Sequence, residues 1–353
     1  MKILETMALF CMLMGAVLPA FASMYYVSPT GNDLADGSSA NPWKTLQHAA
    51  DNVGPGDAVV VRAGTYAGFV LGWDFPQNGT PTQPILFQAD PGTIINSRNN
   101  KTADGINLEG ASYIQIVGFT IQNNGSITRA GIRSVTNANA VIRGNRVDGM
   151  GTWGIFTGFS ENVLIEDNET SHSASQHGIY VSNSADNPVI RGNKSWGNYA
   201  CGIHMNGDVS MGGDGIISGA LVEGNIIHDN GSGGGSGINC DGVQNSVIQN
   251  NLLYNNHASG ISLYVIDGAD GSKNNLVVNN TIIEAADGRW AVNIQAGSTG
   301  NAVLNNILFN NHPWHGSISI SANSLPGFSS DHNIVEGRFT TDDGNRGVRQ
   351  ICG

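Results

Sequence analysis

Gly178-Ile179-Tyr180-Val181-Ser182 is one copy of a phrase that runs through most of the chain. Gly-Ile recurs at Gly105-Ile106, Gly131-Ile132, Gly154-Ile155, Gly178-Ile179, Gly202-Ile203, Gly237-Ile238 and Gly260-Ile261, with gaps of 26, 23, 24, 24, 35 and 23 residues. An Asn-rich phrase alternates with it, as in Ile142-Arg143-Gly144-Asn145, Ile190-Arg191-Gly192-Asn193 and Val277-Val278-Asn279-Asn280. Each phrase is too short for a helix and alternates with period two, which marks a strand. Ile179 and Val181 share one face; Tyr180 and Ser182 share the other. One coil cannot bury its own apolar face, so the coils must stack, about 4.8 Å apart. The recurrent Asn then fits a ladder at a turn, each amide bonding the next coil, and Gly supplies the tight corners. A β-sandwich has turn signals at similar intervals, but it does not keep phase over seven copies. The pattern predicts an all-β fold, a parallel β-helix solenoid.

The chain has 353 residues, 48 of them Gly, and only 12% are charged. Its net charge of −12 argues against nucleic-acid binding, which needs a basic face. An anionic substrate would need a local cation or a bridging metal ion. Lys2, the apolar run Met7 to Leu18 and Ala20-Phe21-Ala22 form a signal-peptide pattern, so residues 1–22 are expected to be removed and the protein secreted. The run is short for a membrane span. Cys201 and Cys240 lie one coil apart but out of column, which leaves a disulfide between them open.

Residues 23–310 are expected to form the β-helix domain with its N-terminal cap, and 311–353 a C-terminal covering segment. Thr45 to Val53 reads as a short amphipathic helix that closes the open end. The opening, Tyr26-Val27-Ser28-Pro29-Thr30-Gly31-Asn32-Asp33, Asn41-Pro42-Trp43-Lys44-Thr45-Leu46-Gln47 and Gly56-Asp57 with Val61-Arg62-Ala63-Gly64-Thr65-Tyr66, resembles secreted right-handed β-helix proteins. Among them are pectate lyase family nine and related polysaccharide lyases. The resemblance implies a right-handed solenoid and a polysaccharide partner. Family-nine lyases use a lysine base and an aspartate-built calcium site, yet no Lys stands in the outward columns here. The Asp-Pro-His-Asp pattern of alginate epimerases is also missing. The same scaffold carries lyases, hydrolases, epimerases and adhesins.

Two coils are too long, and both excesses follow the Gly-Ile strand. Gly202 to Gly237 exceeds the usual 24 by 11 residues, mostly in Asp208 to Gly215. Gly260 to Ala291 exceeds it by 7, including Asp267 to Lys273. Both loops should wall one groove. The outward position after Gly-Ile reads Asn107, Arg133, Phe156, Tyr180, His204, Asn239, Ser262 and Asn293; two residues on come Ser182, Asn206, Asp241 and Tyr264. Elimination beside a carboxylate needs a base, an acid and neutralisation of the carboxylate. His204 is the candidate base, Tyr180 or Tyr264 the acid, and Lys273, Arg289 or a calcium ion the neutraliser. Asp208, Asp214 and Asp241 offer hard oxygen ligands for calcium. Asn206, Asn239, Tyr264, Phe156, Arg133 and Arg289 are candidate substrate contacts. Hydrolysis would instead use two carboxyl groups, Asp208 or Asp214 with Asp241. The leading expectation is a monomeric polysaccharide lyase acting on a uronic-acid polymer. A hydrolase, a uronan C5-epimerase and a non-catalytic carbohydrate-binding or cell-surface protein are the alternatives.

Overall fold

A computed structural model describes residues 21–336. Three long parallel sheets of 12, 10 and 11 strands run side by side along the solenoid, with a two-stranded sheet beside them. Each coil gives one strand to each long sheet. The coil around Tyr180, for example, contributes Ile179–Ser182, then Val189–Arg191, then Lys194–Trp196. The inward Ile106, Ile132, Ile155, Ile179, Ile203, Ile238 and Ile261 form one fully buried row. Burying each such side chain is worth about 1.5–3 kcal/mol, and the stack accumulates it coil by coil.

The Asn ladder lies at the corner between the 12-stranded and 11-stranded sheets. Eight side chains, Asn145, Asn168, Asn193, Asn225, Asn251, Asn280, Asn306 and Asn333, run in series. Each Nδ2 donates to the next Oδ1 at 2.9–3.0 Å. Each also donates to a carbonyl one coil back, such as Ile165 O from Asn193. The residue before each ladder Asn is left-handed, from Gly144 to His332, with φ between 54° and 65°. That corner explains why Gly, Asn or Asp precedes the ladder position in seven of the eight coils.

The cap helix, Leu46–Asn52, starts at Thr45, whose hydroxyl accepts from His48 N–H. Its Leu46, Ala49 and Ala50 join the core. The coil stack begins with Ser23–Val27, which pairs in parallel with Asp57–Val61. One boundary differs from expectation. At the other end, residues 311–336 are not a covering segment but a further coil. Ile318–Ile320, Ser329–Asp331 and Ile334–Glu336 each pair with the coil before. Ser317 replaces the Gly of the phrase there, which hid the repeat, while Asn333 keeps the ladder. The signal-like stretch, except its last two residues, and residues 337–353, with Cys11 and Cys352, lie outside the described residues. Among those described, no helix is long and apolar enough to cross a membrane.

Candidate functional site

The outer face of the ten-stranded sheet carries the columns expected from the phrase. Arg133, Phe156, Tyr180, His204, Asn239, Ser262 and Asn293 stand in register, strand to strand. Beside them run Ser182, Asn206, Asp241 and Tyr264. Four rings make a ribbon over three coils. Trp153 stacks on Phe156 at 4.5 Å, Phe156 meets Tyr180 edge-on at 5.3 Å, and Tyr180 stacks on His204 at 4.9 Å. Trp153, Phe156 and Tyr180 form, with Ala130 and Val135, an apolar cluster separate from the solenoid core. The Arg133 guanidinium sits 5.8 Å from the Phe156 ring centre and is paired with Glu109.

The two long loops do stand together. Val209 N–H donates to Asp267 O and Ala269 N–H to Gly215 O, both at 2.9 Å. Asp241 ties them to the sheet. It is 2% exposed, and its carboxylate accepts from the N–H groups of Ile266, Asp267 and Gly268 at 2.9–3.0 Å. Three amide donors on one carboxylate hold the turn of the second loop. Asp241 is therefore a buried anchor, not an exposed acid or base. Asp208 accepts from Ser210 N–H and Oγ–H, and Asp214 from Ile216 N–H. Each of these two turns on its own loop, and among the described residues Asp208, Asp214 and Asp241 form no ligand cluster. The calcium set expected from sequence is not assembled.

The expected cations are also placed elsewhere. Lys273 Nζ lies 2.6 Å from Asp270 Oδ2, an ion pair that lowers the Asp270 pKa. Arg133 and Arg289 flank His204 three coils to either side, about 14 Å along the axis.

Tyr180 is the best-framed acid. Asn206 Nδ2–H donates to its hydroxyl oxygen at 3.2 Å, and the Ser182 side chain is a second hydrogen-bonding neighbour of the phenol. Burial raises its pKa, and the nearby Asp208 and Asp267 charges add to the shift. Asp267, in the second long loop, is exposed, and its Oδ2 lies 3.4 Å from Asn206 Nδ2. Across the groove Asn239 Nδ2–H donates to Tyr264 Oη at 2.5 Å. Burial is again the first cause of the raised Tyr264 pKa.

His204 has a partner, His177, that stands one residue before the Gly-Ile phrase of the preceding coil. Cys201 N–H donates to His177 Nδ1 at 3.1 Å, and His177 Nε2 lies 3.0 Å from His204 Nδ1. A backbone amide can only donate, so His177 Nδ1 is bare and the neutral ring carries its hydrogen on Nε2. That hydrogen fills the lone pair of His204 Nδ1. His204 Nε2 must then carry the second hydrogen, and it is buried without a partner. Burial lowers both pKa values, His177 to about 4. His204 is thus a neutral donor with no free lone pair, which removes the base role expected of it. The same bonds bear on metal binding. His177, Cys201 and His204 bring ligand atoms within 4.8 Å of one another, a set whose types suit zinc. Here one nitrogen lone pair faces an amide, the next is filled, and burial pushes the Cys201 thiol up to about 12. As the side chains stand, the group is a hydrogen-bond chain that starts at the Cys201 backbone N–H. Cys201 and Cys240 are both free and buried, Cys240 being in register with Met205 in the core.

The family model for the Pel9A-like, right-handed β-helix region matches residues 25–282. Among solved structures, pectate lyase Pel9A aligns over 89% of this chain and 80% of its own, at 17% identity and a TM-score of 0.62. The alginate lyase of Paenibacillus sp. str. FPU-7 aligns over 82% and 96%, at 20% identity and 0.60. PfbA, a surface adhesin of Streptococcus pneumoniae, aligns over 81% and 78%, at 12% and 0.60. At these identities the likeness is one of fold. The uncharacterized protein YwoF of Bacillus subtilis is 30% identical over 138 residues, 36% of this chain and 29% of that protein; the match thus spans under a third of YwoF. Fold, register and family match agree: the chain belongs to the Pel9A-like right-handed β-helix family.

Proposed function

We infer that the protein is a secreted, monomeric, carbohydrate-active β-helix that binds polysaccharide on the outer face of the ten-stranded sheet. Its reaction, on this reading, is cleavage of a uronic-acid polymer by β-elimination. The observation that carries the reading is the ring ribbon Trp153–Phe156–Tyr180–His204, which ends under two loops bearing Asp208 and Asp267. Aromatic faces offer broad apolar contact with polar edges, which suits a chain of sugar rings. The structural neighbours that act on pectate and alginate support the substrate class.

Within this groove Tyr180 is the general acid. Its proton passes to the leaving glycosidic oxygen, with Asn206 holding the hydroxyl. The proton on the sugar carbon must go to a group with a lone pair, and the carboxylates beside Tyr180 are Asp208 and Asp267. The same two carboxylates favour one second reading, glycoside hydrolysis, in which they share the acid and base roles.

The test is a panel assay of the protein on pectate, alginate, glucuronan and neutral glycans, with and without calcium. Ultraviolet absorbance of unsaturated uronate and new reducing ends are followed together. A rise in both on one uronan supports elimination; reducing ends alone move the assignment to hydrolysis. Silence on every polymer overturns cleavage and moves the assignment to epimerisation or binding without turnover. On an active substrate Tyr180→Phe should lower kcat by about 10²–10⁴-fold.

A further inference from the structure

We propose that His177 is a positioning residue that fixes His204 as a neutral Nε2–H donor, aimed at an oxygen of a ligand bound in the groove. The direction of the chain is set at its origin. Cys201 N–H cannot reverse, so the donors run Cys201 N–H, His177 Nε2–H, His204 Nε2–H. Its last member is a buried hydrogen without an acceptor. Leaving such a donor unmet is unfavourable, and an arriving oxygen would relieve it. The register seats His204 between Tyr180 and Asn239 in the outward column, so Nε2 lies at the end of the ring ribbon, where a covering side chain must shift before an oxygen reaches it.

Packing keeps the rings in this arrangement. His177 is edge-on to both His204 and Tyr180, at 4.5 and 5.0 Å, and Tyr180 lies flat on His204. The titratable groups around the pair are the Tyr180 phenol and the Cys201 thiol, both neutral at pH 7. The Asp208 and Asp267 charges lie beyond the Tyr180 hydroxyl. A protonated His204 would put a donor on Nδ1 against the donor of His177, so the chain itself opposes protonation. The acceptor class is a carboxylate or hydroxyl oxygen of a sugar. That half of the proposal rests on the polysaccharide reading; the fixed tautomer does not.

The experiment is nitrogen NMR of the free, full-length protein labelled at histidine. In wild type, His204 should show a bare Nδ1 and a protonated Nε2, unchanged from about pH 5.5 to 8. His177→Gln should keep that signature, because its Oε1 accepts from Cys201 N–H and its amide donates to His204. His177→Phe keeps the bulk and removes both bonds; His204 should then mix its Nδ1–H and Nε2–H tautomers, while burial still holds its pKa down. A wild-type His204 protonated on Nδ1, or titrating near its ordinary value, overturns the proposal. So does a His177→Phe spectrum identical to wild type. On any substrate the panel identifies, His177→Phe should lose about 10²-fold or more in kcat/KM while His177→Gln recovers most of it. Loss in both variants alike would overturn positioning by this chain. Failure of the panel would leave the NMR result standing, so the two claims fail separately.

Discussion

The Asn corner and the outer face of the ten-stranded sheet are both rows of polar side chains stacked coil on coil. They differ in regularity. At the corner every coil presents the same residue and Nδ2 donors meet Oδ1 acceptors from Asn145 to Asn333. On the sheet face the column changes at each step, from Arg133 through Phe156, Tyr180 and His204 to Asn239, and one nitrogen has no acceptor. Repetition satisfies the polar groups of a solenoid internally. Departure from it leaves valences directed at something else.

If that contrast holds, damage at the corner should appear in stability and damage on the face in function. Asn193→Ala should have the largest effect on stability. It strips acceptors from Asn168 N–H and Nδ2–H and a donor from Ile165 O, all buried, for about 3–5 kcal/mol in denaturant unfolding. Ile203→Ala should cost about 2–5 kcal/mol through a core cavity. The adjacent His204→Ala leaves the buried His177 Nε2–H without its acceptor and should cost about 1–3 kcal/mol, less than Asn193→Ala, while lowering turnover about 10²-fold; a stability loss as large as at Asn193 would break the comparison. Asp241→Asn tests an anchor that lies between the two classes. One amide oxygen cannot serve three N–H groups, so about 1–3 kcal/mol should be lost, together with protease resistance of the loop around Asp267.

Glu284 sharpens the rule from the other side. It is buried, with both carboxyl oxygens unpartnered, and burial holds its pKa well above 4.5. The folded chain keeps a proton that the unfolded chain releases. Stability is therefore greatest below about pH 4.5 and falls as pH rises, until the folded carboxyl itself ionises. The slope from this group reaches about 1.4 kcal/mol per pH unit, and Glu284→Gln should remove it in melts compared at about pH 5 and pH 8. The smallest effect belongs to the exposed pairs. Arg191→Ala removes one of two Arg contacts to Glu166 and should change stability by less than about 1 kcal/mol.

The fold was legible because its determinants repeat. The Gly-Ile phrase placed every strand from residue 106 to 264 in register, and the Asn phrase located the ladder. Where Ser317 replaced Gly the repeat went unseen, although Asp331-His332-Asn333 carried the second signal. The site was legible only in part, for a physical reason. Column membership follows from spacing, so Tyr180, His204, Asn239 and Tyr264 fell together. Hydrogen-bond direction does not follow from spacing, so Asp241 looked like a free carboxylate and His204 like a base. His177 stands at the corner before its strand, and no outward column contains it. Asp267 was hidden by its turn-forming neighbours.

The longer loop has one further consequence, at its neck. A Cβ placed on Gly207 would lie 2.1 Å from Gly215 O, so the two ends of the insertion touch where it leaves the coil. A segment that departs and returns at one point is topologically a bud. Residues 208–214 could be excised or exchanged without altering the path of the coil beneath. On the polysaccharide reading, selectivity could then be rewritten there by grafting, without refolding the scaffold.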